Sequence, residues 1–188
     1  MKGTVLANSS AIDRSKTDFY PTPSNVTIAL MKYLQLPLDT IIWEPACGEG
    51  HMVNVLSNFC HRVYATELFD RGFGVVGIDF LTAKLPNWID WIITNPPFSL
   101  SEQFIRRCID HKKPFAMLLK SQYWHAECRL KLFKEYPPMA ILPLTWRPDF
   151  LFKVKNARPT MEVLWAVWGD RLAERTEYVP LVKPPGVS

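Results

Sequence analysis

The stretch Glu44-Pro45-Ala46-Cys47-Gly48-Glu49-Gly50 follows directly on the apolar run Thr40-Ile41-Ile42-Trp43. The run predicts a short buried strand. The two glycines predict a tight turn, because glycine lets the backbone bend sharply and approach a ligand closely. A helix is predicted to follow, from His51 to Phe59. A strand, a glycine turn and a helix in this order are typical of an open α/β sheet, in which ligands bind outside the carboxyl ends of the strands.

Strand and helix patterns alternate beyond this turn. Further strands are predicted at 62–66, 74–78, 91–94, 115–119, 140–144 and 162–168. Thr22-Pro23 predicts a helix N-cap followed by proline at the first helical position, and Ser99 with Glu102 predicts a capping box. The chain therefore predicts a flexible arm at 1–17, one domain at 18–170 and a tail at 171–188. The domain is expected to be a mostly parallel sheet with helices on both faces.

The composition is that of one globular domain. The chain has 188 residues, of which 48% are hydrophobic, and this suffices for a sizeable core. It contains no apolar run near the ~20 residues of a membrane helix, and its N-terminal segment lacks the apolar stretch of a secretory signal. Four scattered cysteines and four histidines show no metal-ligand spacing, so we expect reduced thiols, no metal site and a cytoplasmic protein. The formal net charge of +4 tolerates a polyanionic partner without requiring one.

Polar groups at two further strand ends suit a nucleoside-like cofactor. The glycine turn has Val53 where a dinucleotide fingerprint would have its third glycine, which weakens the interpretation as a nicotinamide site. Glu67 ends the second strand at roughly the spacing expected of a carboxylate that binds ribose hydroxyls. Asp79 suits an adenine amine, and Phe80 could cover the ring. A solvated strand end explains each of these residues equally well when it is considered alone.

The fourth strand ends in Asn95-Pro96-Pro97-Phe98. Two consecutive prolines remove two backbone donors and fix two φ angles. The Asn95 amide oxygen and the Pro96 carbonyl remain as acceptors for the two hydrogens of an exocyclic amine. They would turn the nitrogen lone pair toward an electrophilic methyl group, while Phe98 stacks on a flipped base. The alternative is a proline-stiffened loop, and the buried strand before it together with the upstream glycine turn favours the amine site.

The segments 44–50 and 95–98 together resemble the cofactor and catalytic motifs of amino-group DNA methyltransferases, especially the small adenine-N6 enzymes of phages and prophages. Asp18-Phe19-Tyr20-Pro21-Thr22-Pro23 resembles the segment of that family that packs over the methionine end of the cofactor. The resemblance covers roughly residues 18–168. It implies a Rossmann-like class I fold, with a seven-stranded, mostly parallel sheet whose last strand is antiparallel. It also implies direct methyl transfer from S-adenosyl-L-methionine to adenine N6 in DNA, in a bacterial host cell.

The resemblance implies roles for single residues as well. Those expected to bind the cofactor are Tyr20, Thr22, Glu44, Ala46, Gly48, Gly50, Glu67, Asp79 and Phe80. Those expected to hold the target amine are Asn95, Pro96, Pro97 and Phe98. Cys47 lies beside the cofactor turn but is not needed for this chemistry, and Lys120 at the end of the fifth strand is expected to be solvated.

Unlike the larger members of that family, this protein is expected to lack a separate target-recognition domain. The loop at 145–160 is the candidate DNA contact, because it follows a strand predicted to end on the active-site side. Its basic residues suit phosphates and are Arg147, Lys153, Lys155 and Arg158; a solvated hairpin is the alternative. Three functions remain open: a DNA adenine-N6 methyltransferase; a methyltransferase for another amine, such as cytosine N4, an RNA base or a protein glutamine; and a non-catalytic cofactor-binding interaction protein.

Overall fold

The computed structural model describes residues 18–150 and 161–186. The strands are β1 (Ile41–Glu44), β2 (Arg62–Glu67), β3 (Val75–Val76), β4 (Trp91–Thr94), β5 (Phe115–Lys120), β6 (Ala140–Pro143), β7 (Val163–Trp168) and β8 (Glu177–Tyr178). The α-helices are α1 (Ser24–Leu34), α2 (His51–Leu56), α3 (Ser101–His111) and α4 (Leu130–Glu135). Short 3₁₀ helices lie at Phe98–Leu100, Ser121–Trp124 and Glu127–Arg129. Within these two ranges, no helix has both the length and the apolar character needed to cross a bilayer.

The strands form a single sheet in the order β3-β2-β1-β4-β5-β7-β6-β8. Neighbours from β3 to β5 are parallel, whereas β7 is antiparallel to both β5 and β6. This arrangement confirms the predicted class of mostly parallel α/β sheet with an antiparallel strand. The expected count of seven strands is one too low for the described chain, because β8 adds in parallel to β6 at the edge. That strand lies within the segment 171–188, which was expected to be a tail.

The core lies on both faces of the sheet. Successive residues of β5 enter different hydrophobic clusters, with Leu118 in one and Met117 and Leu119 in the other. This alternation follows from the geometry of a strand, in which neighbouring side chains point to opposite faces. Helix α1 packs on the first face and α3 on the second. Because both faces are covered, β5 is a continuous apolar run, as expected for a central strand of a parallel sheet.

Two predicted helix starts are wrong in detail. Helix α1 has Pro23 as its N-cap residue without a side-chain cap bond, so Thr22 does not cap it. Helix α3 begins after a 3₁₀ turn, again without a side-chain cap, and the capping box of Ser99 and Glu102 does not form. The Ser99 N–H instead donates to the carboxylate of Asp18 at 2.8 Å. The Thr22 hydroxyl is likewise used elsewhere, since it accepts a hydrogen bond from Asn95.

Candidate active site

A cleft opens at the carboxyl ends of β1, β2 and β4. The strand order places β2 on one side of β1 and β4 on the other, which makes this the switch point where open α/β sheets bind ligands. The predicted site residues that line the cleft are Tyr20, Thr22, Glu44, Ala46, Glu67, Asp79, Phe80, Asn95, Pro96 and Pro97. The cleft is roofed by residues 18–22, which we call the N-terminal strap. The fold therefore brings most of the predicted cofactor and amine residues to one place.

The glycine turn shapes this cleft through its backbone. Gly48 has φ +55° and Gly50 has φ +82°, in the left-handed region that favours glycine. A Cβ atom at Gly48 would overlap the ring of Phe19 from the strap, and one at Gly50 would lie 2.7 Å from the ring of Phe73. The turn therefore needs glycine both for its own conformation and for the close approach of two aromatic rings.

Glu67 ties the glycine turn to the end of β2. Its side chain is 7% exposed. Oε2 accepts the N–H of Gly48 at 2.9 Å, and Oε1 accepts the N–H groups of Leu68 at 2.9 Å and Phe69 at 3.3 Å. A carboxylate has about four acceptor positions, so Oε2 retains capacity for a ribose hydroxyl. These bonds fix the carboxylate at the rim of the cleft, where the sequence predicted a ribose contact.

Glu44 is a buried carboxyl group on the cleft wall. It is 1% exposed, and its Oε1 accepts from the Thr94 hydroxyl at 2.5 Å and from the Ala46 N–H at 3.2 Å. Its Oε2 is buried and has no hydrogen-bond partner among the residues that the structure describes. Burial raises the pKa of Glu44 to about 8, with a smaller contribution from the charge of Glu67 and against the two hydrogen bonds. A cationic group in the cleft beside Oε2 would favour the ionised form.

Asp79 and Phe80 follow the short strand β3. The Asp79 carboxylate accepts the N–H of Leu81 at 2.9 Å and lines the cleft. Phe80 is 2% exposed, with its ring centroid 5.1 Å from that of Trp43 and 4.8 Å from that of Phe104. Phe80 thus anchors this segment in the core and contributes to the cleft at the same time.

Asn95 is held in one orientation by the N-terminal strap. Its Nδ2 donates to the backbone carbonyl of Tyr20 at 2.9 Å and to the hydroxyl of Thr22 at 3.0 Å. Both hydrogens of the amide are therefore used, and the network fixes which end of the amide is oxygen. Its Oδ1 is buried, and within residues 18–150 and 161–186 it has no donor. A buried acceptor without a donor lowers the stability of the protein, and a ligand that donates a hydrogen bond removes this cost. Such an acceptor is therefore typical of a binding site.

Phe98 lies at the boundary between the cleft and a second cavity. Its ring centroid is 5.6 Å from that of Tyr20, and the Lys120 ammonium sits 4.6 Å from the centroid of the Phe98 ring. Lys120 is half-buried. Sequence reasoning gave Lys120 no role, although β5 lies beside β4 and their carboxyl ends meet at the same edge. A sequence-based prediction that pairs these two strands would place Lys120 near Phe98.

The candidate DNA-contact loop lies only partly within the described residues. Arg147 is exposed and forms an ion pair of 2.7 Å with Glu162. Phe150 is buried, with its ring nearly perpendicular to that of Tyr20 and the two ring centroids 6.4 Å apart. The start of the loop therefore packs beside the strap that holds Asn95. The other predicted contacts lie outside the described residues: Lys153, Lys155 and Arg158.

Cys47 is a buried thiol beside the cleft. Burial raises its pKa to about 12, and the charges of Glu44 and Glu67 act in the same direction. The thiol is therefore protonated at neutral pH and is a poor nucleophile or metal ligand. Among the residues that the structure describes, no group of three or more His, Cys, Asp or Glu side chains could hold a metal ion.

The structure is similar in fold to several solved methyltransferases. No protein-family model matches the chain, and no curated protein matches it by sequence. It is similar in structure to the methyltransferase subunit of a type I restriction-modification system from Streptococcus thermophilus, with TM-score 0.64 and 12% identity, covering 86% of this chain and 47% of the other.

The chain is also similar in fold to an rRNA methyltransferase and to a putative RNA methyltransferase. The 23S rRNA methyltransferase ErmE has TM-score 0.55 and 18% identity, covering 74% of this chain and 66% of the other. A putative RNA methyltransferase, PH1948 from Pyrococcus horikoshii, has TM-score 0.60 and 15% identity, covering 80% and 87%. The chain spans about half the length of the Streptococcus subunit, and at these identities the likeness concerns the fold. The chain has the α/β fold that these methyltransferases share.

Proposed function

We propose that the protein is an S-adenosyl-L-methionine-dependent methyltransferase that acts on the exocyclic N6 amine of adenine in DNA. The observation that carries this proposal is the Asn95 amide, whose two hydrogens are bound by the strap while its buried oxygen lacks a described partner. An acceptor fixed in this way selects a ligand that donates hydrogens. An aromatic amine is such a donor.

The cleft fits the cofactor through three acidic groups. The unpartnered Oε2 of Glu44 suits the ammonium of the methionine moiety, Glu67 at the rim suits the ribose hydroxyls, and Asp79 suits the adenine amine. The bound cofactor supplies an electrophilic methyl group on a sulfonium centre. The protein contributes position and charge, since direct displacement needs no covalent enzyme intermediate.

The loop Asn95–Phe98 prepares the amine. Asn95 Oδ1 and the Pro96 carbonyl accept its two hydrogens, which disfavours delocalisation of the nitrogen lone pair into the ring. Pro96 and Pro97 have no N–H that could compete as donors. Preorganised contacts of this kind contribute about 10²–10³ in rate each, because they need no reorganisation in the transition state.

Adenine in DNA is supported by the motif resemblance and by the structural similarity to a type I restriction-modification subunit. An RNA base is the second candidate, because ErmE and PH1948 share the fold and are named as RNA methyltransferases or putative ones. The acceptor geometry at Asn95 serves either amine. Identification of the methylated product therefore decides between DNA and RNA as the substrate.

The test is methyl transfer from labelled cofactor to unmethylated DNA, RNA or protein, followed by digestion and identification of the labelled product. Label is expected in N6-methyladenine from DNA. Asn95→Ala is expected to reduce kcat by about 10²–10³ with cofactor affinity retained, and the exposed Asn54→Ala serves as the matched control. Label solely in RNA, N4-methylcytosine or glutamine would contradict the proposed substrate. Full activity of Asn95→Ala would contradict the proposed mechanism.

The loop at 145–160 is proposed to bind the DNA backbone. Alanine at Lys153, Lys155 and Arg158 is expected to weaken DNA binding and to reduce its dependence on salt by about one unit of slope per lost phosphate contact. The matched control changes three exposed lysines elsewhere: Lys32, Lys84 and Lys134. Equal affinities for the two triple variants would refute this role of the loop.

A further inference from the structure

A second cavity lies at the carboxyl end of β5, beside the loop Asn95–Phe98. Pro96 and Pro97 of that loop line the cofactor cleft, whereas Phe98 lines this second cavity. The opposite wall consists of β5 and the 3₁₀ turns that follow it, with Lys120, Tyr123 and Arg129. The cavity is therefore adjacent to the position proposed for the target amine, and distinct from the cofactor cleft.

Two cations of this cavity are held in place by aromatic rings. The Lys120 ammonium lies 4.6 Å from the centroid of the Phe98 ring. The Arg129 guanidinium lies 3.9 Å from the centroid of the Tyr123 ring, and its Nη1 donates to the Tyr123 carbonyl at 2.8 Å. A ring holds a cation in place without supplying an anionic partner, so both side chains can still donate hydrogen bonds to a ligand. A side chain fixed in this way loses little conformational freedom when it binds a ligand.

Acidic groups near the cavity are outnumbered or already occupied. The Asp18 carboxylate lines it and accepts the Ser99 N–H at 2.8 Å. Glu102 accepts two hydrogen bonds from Arg106, at 3.1 and 2.9 Å, and is 4.0 Å from the Nε of Arg129. Both carboxylates therefore already accept hydrogen bonds from other protein groups.

Unpartnered donors point to the chemistry of the ligand. Tyr123 is 7% exposed, and its hydroxyl is buried beside the charged Arg129 side chain, without a partner of good hydrogen-bond geometry among the described residues. The Nε of Arg129 is also buried and has no hydrogen-bond partner among the described residues. A group with several oxygen acceptors and a negative charge satisfies such donors, and phosphate oxygens combine these properties.

We propose that this cavity binds a phosphodiester of the target strand next to the flipped nucleotide, through Lys120, Arg129 and Tyr123. The inference rests on the proposed function, since it assigns the second cavity to the same nucleic acid. Phe98 joins the two sites, because it belongs to the loop that holds the amine and forms a wall of the cavity. The exposed His125 lies at the same cavity and adds a further donor.

The experiment measures binding of a fluorescein-labelled, adenine-containing DNA oligonucleotide by anisotropy over a range of salt concentrations. Lys120→Gln is expected to weaken binding about tenfold, the value of one hydrogen bond to a charged group. It is also expected to reduce the slope of log affinity against log salt by about one. Lys120→Arg is expected to restore the slope. Cofactor affinity is expected to be unchanged in both variants, because Lys120 does not line the cofactor cleft.

The matched control is Lys113→Gln, which removes the same charge just before the other end of β5. If Lys120→Gln and Lys113→Gln have the same affinity and slope, or if the wild-type protein does not bind the oligonucleotide, the inference is overturned. Loss of cofactor affinity in Lys120→Gln would also overturn it, because the effect would then be structural. Methylation is measured on the same samples: binding that depends on Lys120 without N6-methyladenine formation refutes the proposed substrate and leaves the phosphodiester site supported.

Discussion

Replacing Glu44 with glutamine is expected to remove a pH dependence from the stability of the protein. Glutamine copies the shape of the neutral carboxyl group and keeps an acceptor for the Thr94 hydroxyl and the Ala46 N–H. The folded-state pKa of Glu44 is raised from 4.5 to about 8, mainly by burial. The folded protein therefore binds the proton more tightly than the unfolded chain. Stability from this group is present below the unfolded pKa and is lost as the pH rises through the folded value.

The magnitude follows from these two pKa values. Between about pH 5.5 and about pH 7.5, the free energy of unfolding of the wild type should fall by about 2.5 kcal/mol from Glu44 alone. Glu44→Gln lacks this loss, so the difference in stability between variant and wild type should shift by that amount in favour of the variant. For a chain of this size the shift corresponds to roughly 5–10 °C in Tm.

Urea denaturation of the cofactor-free protein at the two pH values measures this shift directly. Other titrating groups contribute equally to wild type and variant, so they cancel in the difference. Glu174→Gln, at an exposed carboxylate, is the control and should leave the difference near zero. If the free energy of unfolding changes equally between the two pH values in wild type and Glu44→Gln, the burial of an uncompensated carboxyl group at this site is refuted.

Two further predictions concern a glycine and the thiols. Gly48→Ala and Gly77→Ala both place alanine at positive φ, +55° and +83°, but only at Gly48 does the new Cβ meet a ring, that of Phe19. Thermal unfolding should show a loss of about 1–2 kcal/mol for Gly77→Ala and a further loss of about 1–3 kcal/mol for Gly48→Ala; equal losses would contradict the close packing. The exposed Cys128 should react with iodoacetamide at about pH 8 while the buried Cys47, with its pKa of about 12, stays unmodified. Peptide mass mapping checks this, and comparable labelling of both would contradict the assigned burial.

The fold and the location of the cleft could be predicted because each central strand has a clear end in the sequence. The apolar run of β4 stops at Asn95-Pro96, and that of β1 stops at the glycine turn. Proline and glycine mark these ends through backbone geometry, which is a local property. Once the strands are parallel, their carboxyl ends meet, and residues far apart in the sequence are brought to one edge.

Contacts between distant segments could not be predicted in the same way. Thr22 binds Asn95 across 73 positions, yet the dipeptide Thr22-Pro23 has an adequate local interpretation as a helix start. Strand β8 was missed because Glu177 and Tyr178 are exposed and show no apolar alternation. The nearby Leu181 and Pro184 are buried, but their spacing of three is not the alternation of a strand. Pairing of this edge depends on backbone hydrogen bonds, which leave no signature in side-chain type.

Because Asn95 is oriented by hydrogen bonds to Tyr20 and Thr22, the proposed activity can be lost without loss of the fold. A primary amide has an acceptor oxygen and a donor NH2 group, and half a turn about the bond to the amide carbon exchanges their positions. If the strap moved away, the sheet would persist, yet the Asn95 amide could rotate and present its hydrogens to an amine that also presents hydrogens. Such a protein would keep its sheet but lose the proposed activity. Substitutions in the strap, residues 18–22, are therefore expected to reduce the proposed methyl transfer more than they reduce the stability of the fold.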